Sequence, residues 1–298
     1  MSSPTFSTSR AATGSKTEIG KGSAVKLVRI LLPIAQHGTT EACANVAFSL
    51  AARFGVSLQA LLPCPAPEQR VPYSTEISPF YFDELIDVGR KQIALEKRQG
   101  KHWLQKRAKV FPKVKADFLA AEGLIAPVVA TQAKLADFAV LPSICEEEEA
   151  FWGVVRDAAL FQSGRPVLVV PESVKTPIGE TVVVAWKDSV EAVRAVSTAE
   201  PFLAKAKHVR LVSIEEGGKD ETAAGMADYL TRAGIRVELA KLASKGRDVG
   251  EVLLEFAAGK NVLLVMGAYG RWRWREWVFG GATQYVLRHM TIPVLMTH

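Results

Sequence analysis

"TVVVAWKDSVEAVRAVSTAEPFLAKAKHVRLVSIEE" runs from Thr181 to Glu216. Its opening, Thr181 to Lys187, is a β-branched apolar run, the pattern of a parallel strand covered on both faces. Asp188 and Ser189 follow, and their side-chain oxygens suit a helix start. Val190, Val193, Ala195 and Val196 then recur at helical spacing. From His208 the chain reads as a strand again. Strand, crossover helix and strand make one βαβ unit, whose right-handed connection lays the helix across a parallel sheet.

The same alternation continues in both directions. Downstream, the spacing predicts helices over 222–234, 248–260 and 282–289, and strands over 235–243, 261–269 and 293–298. Upstream it predicts strands over 26–35, 56–63, 114–123, 137–143 and 165–172, with helices over 40–55, 79–109, 125–136 and 148–164. A Pro-rich link, "PCPAPEQRVP" (63–72), precedes the long basic helix. The closing strands "RPVLVVPE" and "IPVLMTH" are alike, which reads as an internal duplication. The expected fold class is α/β, with two tandem five-stranded parallel-sheet α/β sandwich domains of Rossmann-like build. The expected division is a disordered tail over 1–24, one domain over 25–172, a linker over 173–180 and a second domain over 181–298.

Composition narrows the functional classes. The 298 residues are 48% hydrophobic and 23% charged, the balance of a globular chain. Net charge is +6 with a pI near 9.2, which mildly favours anionic partners. No run approaches the roughly 20 apolar residues needed to cross a bilayer, so no membrane contact is expected. Cys43, Cys64 and Cys145 are too widely spaced for a metal pattern and odd in number for a disulfide framework, which fits a reducing, cytoplasmic location. Residues 1–24 lack an apolar core and do not read as a secretory signal. The five histidines show no ligand spacing, and no catalytic Ser, His and Asp set stands at strand ends.

The chemistry concentrates in "MGAYGRWRWREWVFGGATQYVLRHM", Met266 to Met290. Gly267 and Gly270 stand at the carboxyl end of a strand, where ligands of open α/β sheets collect. Lacking Cβ, they admit close approach to the backbone. Gly280 and Gly281 precede a helix from Ala282, so their amides join the unpaired N–H groups of a first turn and make an anion site, to which Thr283 adds a hydroxyl. Loop geometry alone also accounts for glycine at strand ends and helix starts, and both readings stand at this point. In "RWRWREW", Arg271, Arg273 and Arg275 alternate with Trp272, Trp274 and Trp277. Such a pattern can stack and neutralise single-stranded nucleic acid. We read it instead as an excursion loop anchored by its indoles, with Arg271 and Arg273 as phosphate neighbours and no nucleic-acid partner. The helix over 79–109, with apolar Leu85, Ile86, Ile93 and Leu95, reads as an amphipathic cover of the sheet.

Gly267, Gly270 and Gly280 fall on the spacing of the universal stress protein signature: Gly, two residues, Gly, nine residues, Gly, then Ser or Thr. "VVVAWKDSVEAVRAV" is similar to that family's first strand and helix. The resemblance covers Thr181 to His298 and, more loosely, Lys26 to Glu172, giving a tandem member of an adenine-nucleotide alpha hydrolase-like fold. It implies ATP, with Mg²⁺, as ligand. Ala185, Trp186 and Lys187 are implicated for the base, Met266, Gly267 and Gly270 for the ribose, and Gly280, Gly281, Ala282 and Thr283 for the phosphates. Two positions depart from the pattern. Gly281 replaces the usual hydroxyl residue, and Lys187 replaces an Asp acceptor. Asp188 substitutes for that Asp only if the strand has already ended. The first half, with "LPSICEEEEAFWG" in place of the glycines and Glu146 to Glu149 before its helix, is expected not to bind ATP. The output implied is a shape change or binding of an unknown protein partner. Slow ATP hydrolysis is compatible with it, and the resemblance implies pairing of sheet edges within the tandem, with a homodimer also open.

Overall fold

The computed structural model describes residues 27–70, 79–143, 149–175, 177–215, 222–268 and 281–298. The 1–24 tail, Cys145, Glu146 to Glu148, Gly270, Gly280 and the whole Arg271 to Trp277 stretch lie outside them.

Within the first half the elements are β1 (Arg29–Pro33), α1 (Glu41–Phe54), β2 (Ser57–Cys64), α2 (Pro67–Arg70), α3 (Pro79–Val110), β3 (Ala116–Glu122), α4 (Ile125–Lys134), β4 (Phe138–Pro142), α5 (Glu149–Gln162) and β5 (Val167–Val170). The second half holds β6 (Thr181–Trp186), α6 (Val190–Leu203), β7 (His208–Glu215), α7 (Thr222–Arg232), β8 (Val237–Ala243), α8 (Val249–Phe256), β9 (Val262–Gly267), α9 (Gly281–His289) and β10 (Val294–Thr297). Side-chain caps set several boundaries. Thr40 Oγ1 accepts from the Cys43 amide at 3.3 Å before α1, and Ser189 Oγ accepts from Ala192 at 3.2 Å before α6. Gly55 ends α1 in the left-handed region at φ 68°, where a Cβ would be strained.

Among the described residues one sheet of ten strands forms, in the order β3-β2-β1-β4-β5-β10-β9-β6-β7-β8. Each half is parallel and repeats one strand order. The two join where β10 runs antiparallel to β5, with Val294 opposite Val169, Leu295 opposite Leu168 and Met296 opposite Val167. The two five-stranded sheets thus pair edge to edge within the chain as a single continuous sheet.

Strand alternation sends Ile30, Leu32, Val182 and Val184 to one face and Leu31, Val183, Leu264 and Met266 to the other. Both cores run across the join. On the first face, Phe202 of α6 meets Phe54 of α1 edge-on at 5.2 Å and Phe138 of β4 at 5.6 Å. Arg53 ties the same corner. Its guanidinium donates to the carbonyls of Ile178 (2.8 Å) and Lys205 (3.1 Å), while Lys205 Nζ donates back to the Arg53 carbonyl at 2.9 Å.

The Pro-rich link holds an element the sequence reading did not anticipate. Pro67 opens the short α2, as proline suits a first helical turn. Arg70 then donates to both carboxylate oxygens of Glu96 on α3, at 2.8 and 2.7 Å. This fork holds Glu96 below the usual carboxylate range, with burial opposing.

Candidate functional site

β6 pairs with β7 on one side and β9 on the other. The chain leaves β6 in opposite directions along the sheet, so the crevice beyond the carboxyl ends of β6 and β9 is a topological switch point, where such sheets bind ligands. Ala185 and Met266 are paired in register there. Ala185 is half-buried and Met266 buried, and both face the second core. Trp186 faces the other way, among the residues of the first core, and its Nε1 donates to Thr222 Oγ1 of α7 at 2.9 Å. Its indole is therefore committed to packing, and only its backbone reaches the crevice edge. β6 ends at Trp186, which leaves Lys187 and Asp188 exposed in the turn before α6. The condition under which Asp188 substitutes for the missing acceptor is met.

Gly267 has a packing reason to be glycine. A Cβ on it would lie 2.7 Å from the Glu191 carbonyl carbon and 2.8 Å from the Ala192 nitrogen, inside the first turn of α6. The helix, not a ligand, fills the space that its missing side chain leaves. Beyond it, Ala268 keeps to the sheet. Its amide donates to the Thr297 carbonyl at 2.8 Å and its carbonyl lies 3.2 Å from His298 Nδ1.

The start of α9 stands against the start of α8. A Cβ at Gly250 would meet the Ala282 carbonyl oxygen at 2.7 Å and Tyr285 Cβ at 2.9 Å, so Gly250 permits the crossing. Asp248 caps α8, its Oδ1 accepting from the Gly250 amide at 2.7 Å. Its Oδ2 lies 3.7 Å from where a Cβ on Gly281 would be. A carboxylate thus stands beside the expected phosphate end. Sequence reasoning did not single out Asp248, although Asp248-x-x-Glu251 has the spacing of a capping box. Gly281 and Ala282 open α9, and Thr283 is buried with partners of its own. Gly270, Arg271 and Gly280 lie outside the described residues. No group of three His, Cys, Asp or Glu side chains among the described residues could hold a metal.

In the first half, Trp103 of α3 packs on the turn that follows β1. After β1 the chain folds back in a bridge between Ala35 and Gly38, and Gly38 sits at φ 100°. The Trp103 indole of α3 lies on it so closely that a Cβ there would be 2.3 Å from Nε1. This contact was not legible beforehand, because it joins a turn to a distant helix.

Comparison with known proteins gives one family and one fold. Residues 180–298 match the Universal stress protein family. No curated protein matches the chain. Among solved structures, a universal stress protein from Archaeoglobus fulgidus superposes with a TM-score of 0.65 at 17% identity, covering 90% of this chain and 97% of that one. A functionally unknown protein from Pseudomonas aeruginosa PAO1 superposes with a TM-score of 0.54 at 13% identity, covering 91% and 92%. A protein named as a universal stress protein from Pseudomonas aeruginosa UCBPP-PA14 gives 0.52 at 14%, covering 91% and 93%. At such identities these structures show the fold, and the family rests on the match over the second half. Over residues 180–298, the chain is similar to the universal stress protein family.

Proposed function

We propose that the second half is a nucleotide-responsive module that takes ATP or a related nucleotide at the β6/β9 switch point and passes on its occupancy as a change of shape or protein partner. In this reading residues 25–172 are a degenerate domain joined by 173–180 to the binding domain over 181–298, in a cytoplasmic protein with no catalytic residue assigned.

The pairing of Ala185 with Met266 at the switch point carries the reading. It offers a small apolar floor for a base, bounded by the exposed Asp188 as an acceptor and by the α9 start as an anion-facing end. The residues fit the phosphate end less fully. Gly281 brings an amide without a hydroxyl, and Asp248 adds a negative charge beside it. That charge favours phosphates already neutralised by Mg²⁺, which would be carried in with the nucleotide. The lack of the signature glycine pair after β4 supports a first half that takes none.

A second reading, an interaction scaffold of the same fold that binds no nucleotide, draws on the packing role of Gly267 and on Asp248. A thermal-shift titration with Mg²⁺ and ATP separates the two. Binding at one hundred times the dissociation constant stabilises by about 2.7 kcal/mol. Gly281→Ser, which has room for its Cβ, should tighten binding by about one to two decades through the added hydroxyl. Gly281→Asp should abolish the shift. No shift at millimolar ATP, in either the natural chain or Gly281→Ser, establishes the scaffold reading.

A further inference from the structure

The long helix α3 buries one side and exposes an apolar stripe on the other. Its 32 residues span about 48 Å at 1.5 Å per residue. Ile93 and Leu104 are buried against the sheet, and Ile86 is buried on the same helix. Tyr81, Leu85, Val88, Gln92 and Leu95 follow one another at spacings of four, three, four and three. That alternation is the seam of a two-helix coiled coil. Leu85 is 41% exposed, Val88 57% and Leu95 39%, a large apolar outlay for one helix face.

Charge selects the occupant. Asp83, Glu84 and Asp87 occupy the start of α3, and Arg90, Lys91, Lys97, Arg98 and Lys101 follow. A second copy laid parallel sets carboxylates against carboxylates. Laid antiparallel, it sets each acidic stretch against a basic one. In the antiparallel register that stacks Leu85 on Val88 of the second copy, and Val88 on its Leu85, Glu84 lies beside Lys91 of the second copy and Lys91 beside its Glu84, both pairs on one flank of the seam. Apolar layers and ion pairs are therefore satisfied together by a single two-fold arrangement, as an isologous interface requires.

We infer that two copies of this chain dimerise through the amino-terminal half of α3, antiparallel, with Leu85 and Val88 as the seam and Glu84 with Lys91 as the flanking pairs. The interface is independent of the nucleotide site.

Sedimentation velocity across a micromolar concentration series tests it. The natural chain should sediment at twice the 32.4 kDa of one chain. Val88→Glu, at an exposed position, should return it to the single-chain mass with an unchanged far-ultraviolet spectrum. Glu84→Lys and Lys91→Glu should each raise the dissociation constant about tenfold, and the double reversal should restore it. The reversals alter only exposed charges, so they decide the matter even if Val88→Glu fails to fold. A natural chain that stays at the single-chain mass at high micromolar concentration overturns the inference. So does a dimer indifferent to these substitutions, or single reversals that the double reversal does not rescue.

Discussion

Gly267 and Gly281 occupy neighbouring places in one signature but answer to different physics. At Gly267 the α6 backbone stands 2.7 to 2.8 Å from any added Cβ, and neither neighbour is a side-chain tip that can swing away. Gly267→Ala should therefore cost about 1 to 3 kcal/mol of unfolding free energy in urea, the usual toll of overpacking. At Gly281 the same methyl meets ordinary van der Waals distance, so Gly281→Ala should change stability by no more than about 0.5 kcal/mol in the same assay. The spacing of the glycines was legible in the chain. Which of them serves packing was not, because that depends on how closely α6 crosses the end of β9.

At the scale of elements, the strands were the most readable parts, since β-branched apolar runs such as Thr181 to Trp186 and Val262 to Met266 have little else to become in an α/β chain. α2 was missed for the converse reason. Four residues carry no periodicity, and the element is held from outside, by Glu96 on α3. That contact yields a pH-dependent expectation. The folded-state pKa of Glu96 is lowered, chiefly by its hydrogen bonds from Arg70. Its contribution is therefore complete above the unfolded carboxylate pKa and is lost as pH falls through the lowered folded value. Glu96→Gln should cost about 1.5 to 3 kcal/mol at neutral pH. The gap between variant and natural chain should close in acid, as urea titrations at both pH values would reveal.

Taken whole, the molecule is two sheets joined edge to edge within one chain. The resemblance implied that the halves pair, but not that β5 and β10 would carry the join or that both cores would cross it. A core shared by Phe54, Phe138 and Phe202 and fastened by Arg53 couples the halves. Urea unfolding should accordingly be one transition, with tryptophan fluorescence and circular dichroism coincident, since Trp103 and Trp152 report on one half and Trp186, Trp272, Trp274 and Trp277 on the other. Arg53→Ala should remove about 2 kcal/mol and begin to separate the two signals. Two resolved transitions in the natural chain would show the coupling to be weak.

The antiparallel meeting of β5 and β10 also gives the molecule a sense of direction. Since each half is parallel within itself, the rims where their strands terminate look away from each other, and Asp188 and Gly281 stand on that of the second half. A protein that senses what sits on the second rim must come from that side, and one approaching from the opposite side meets the strand ends of the first half.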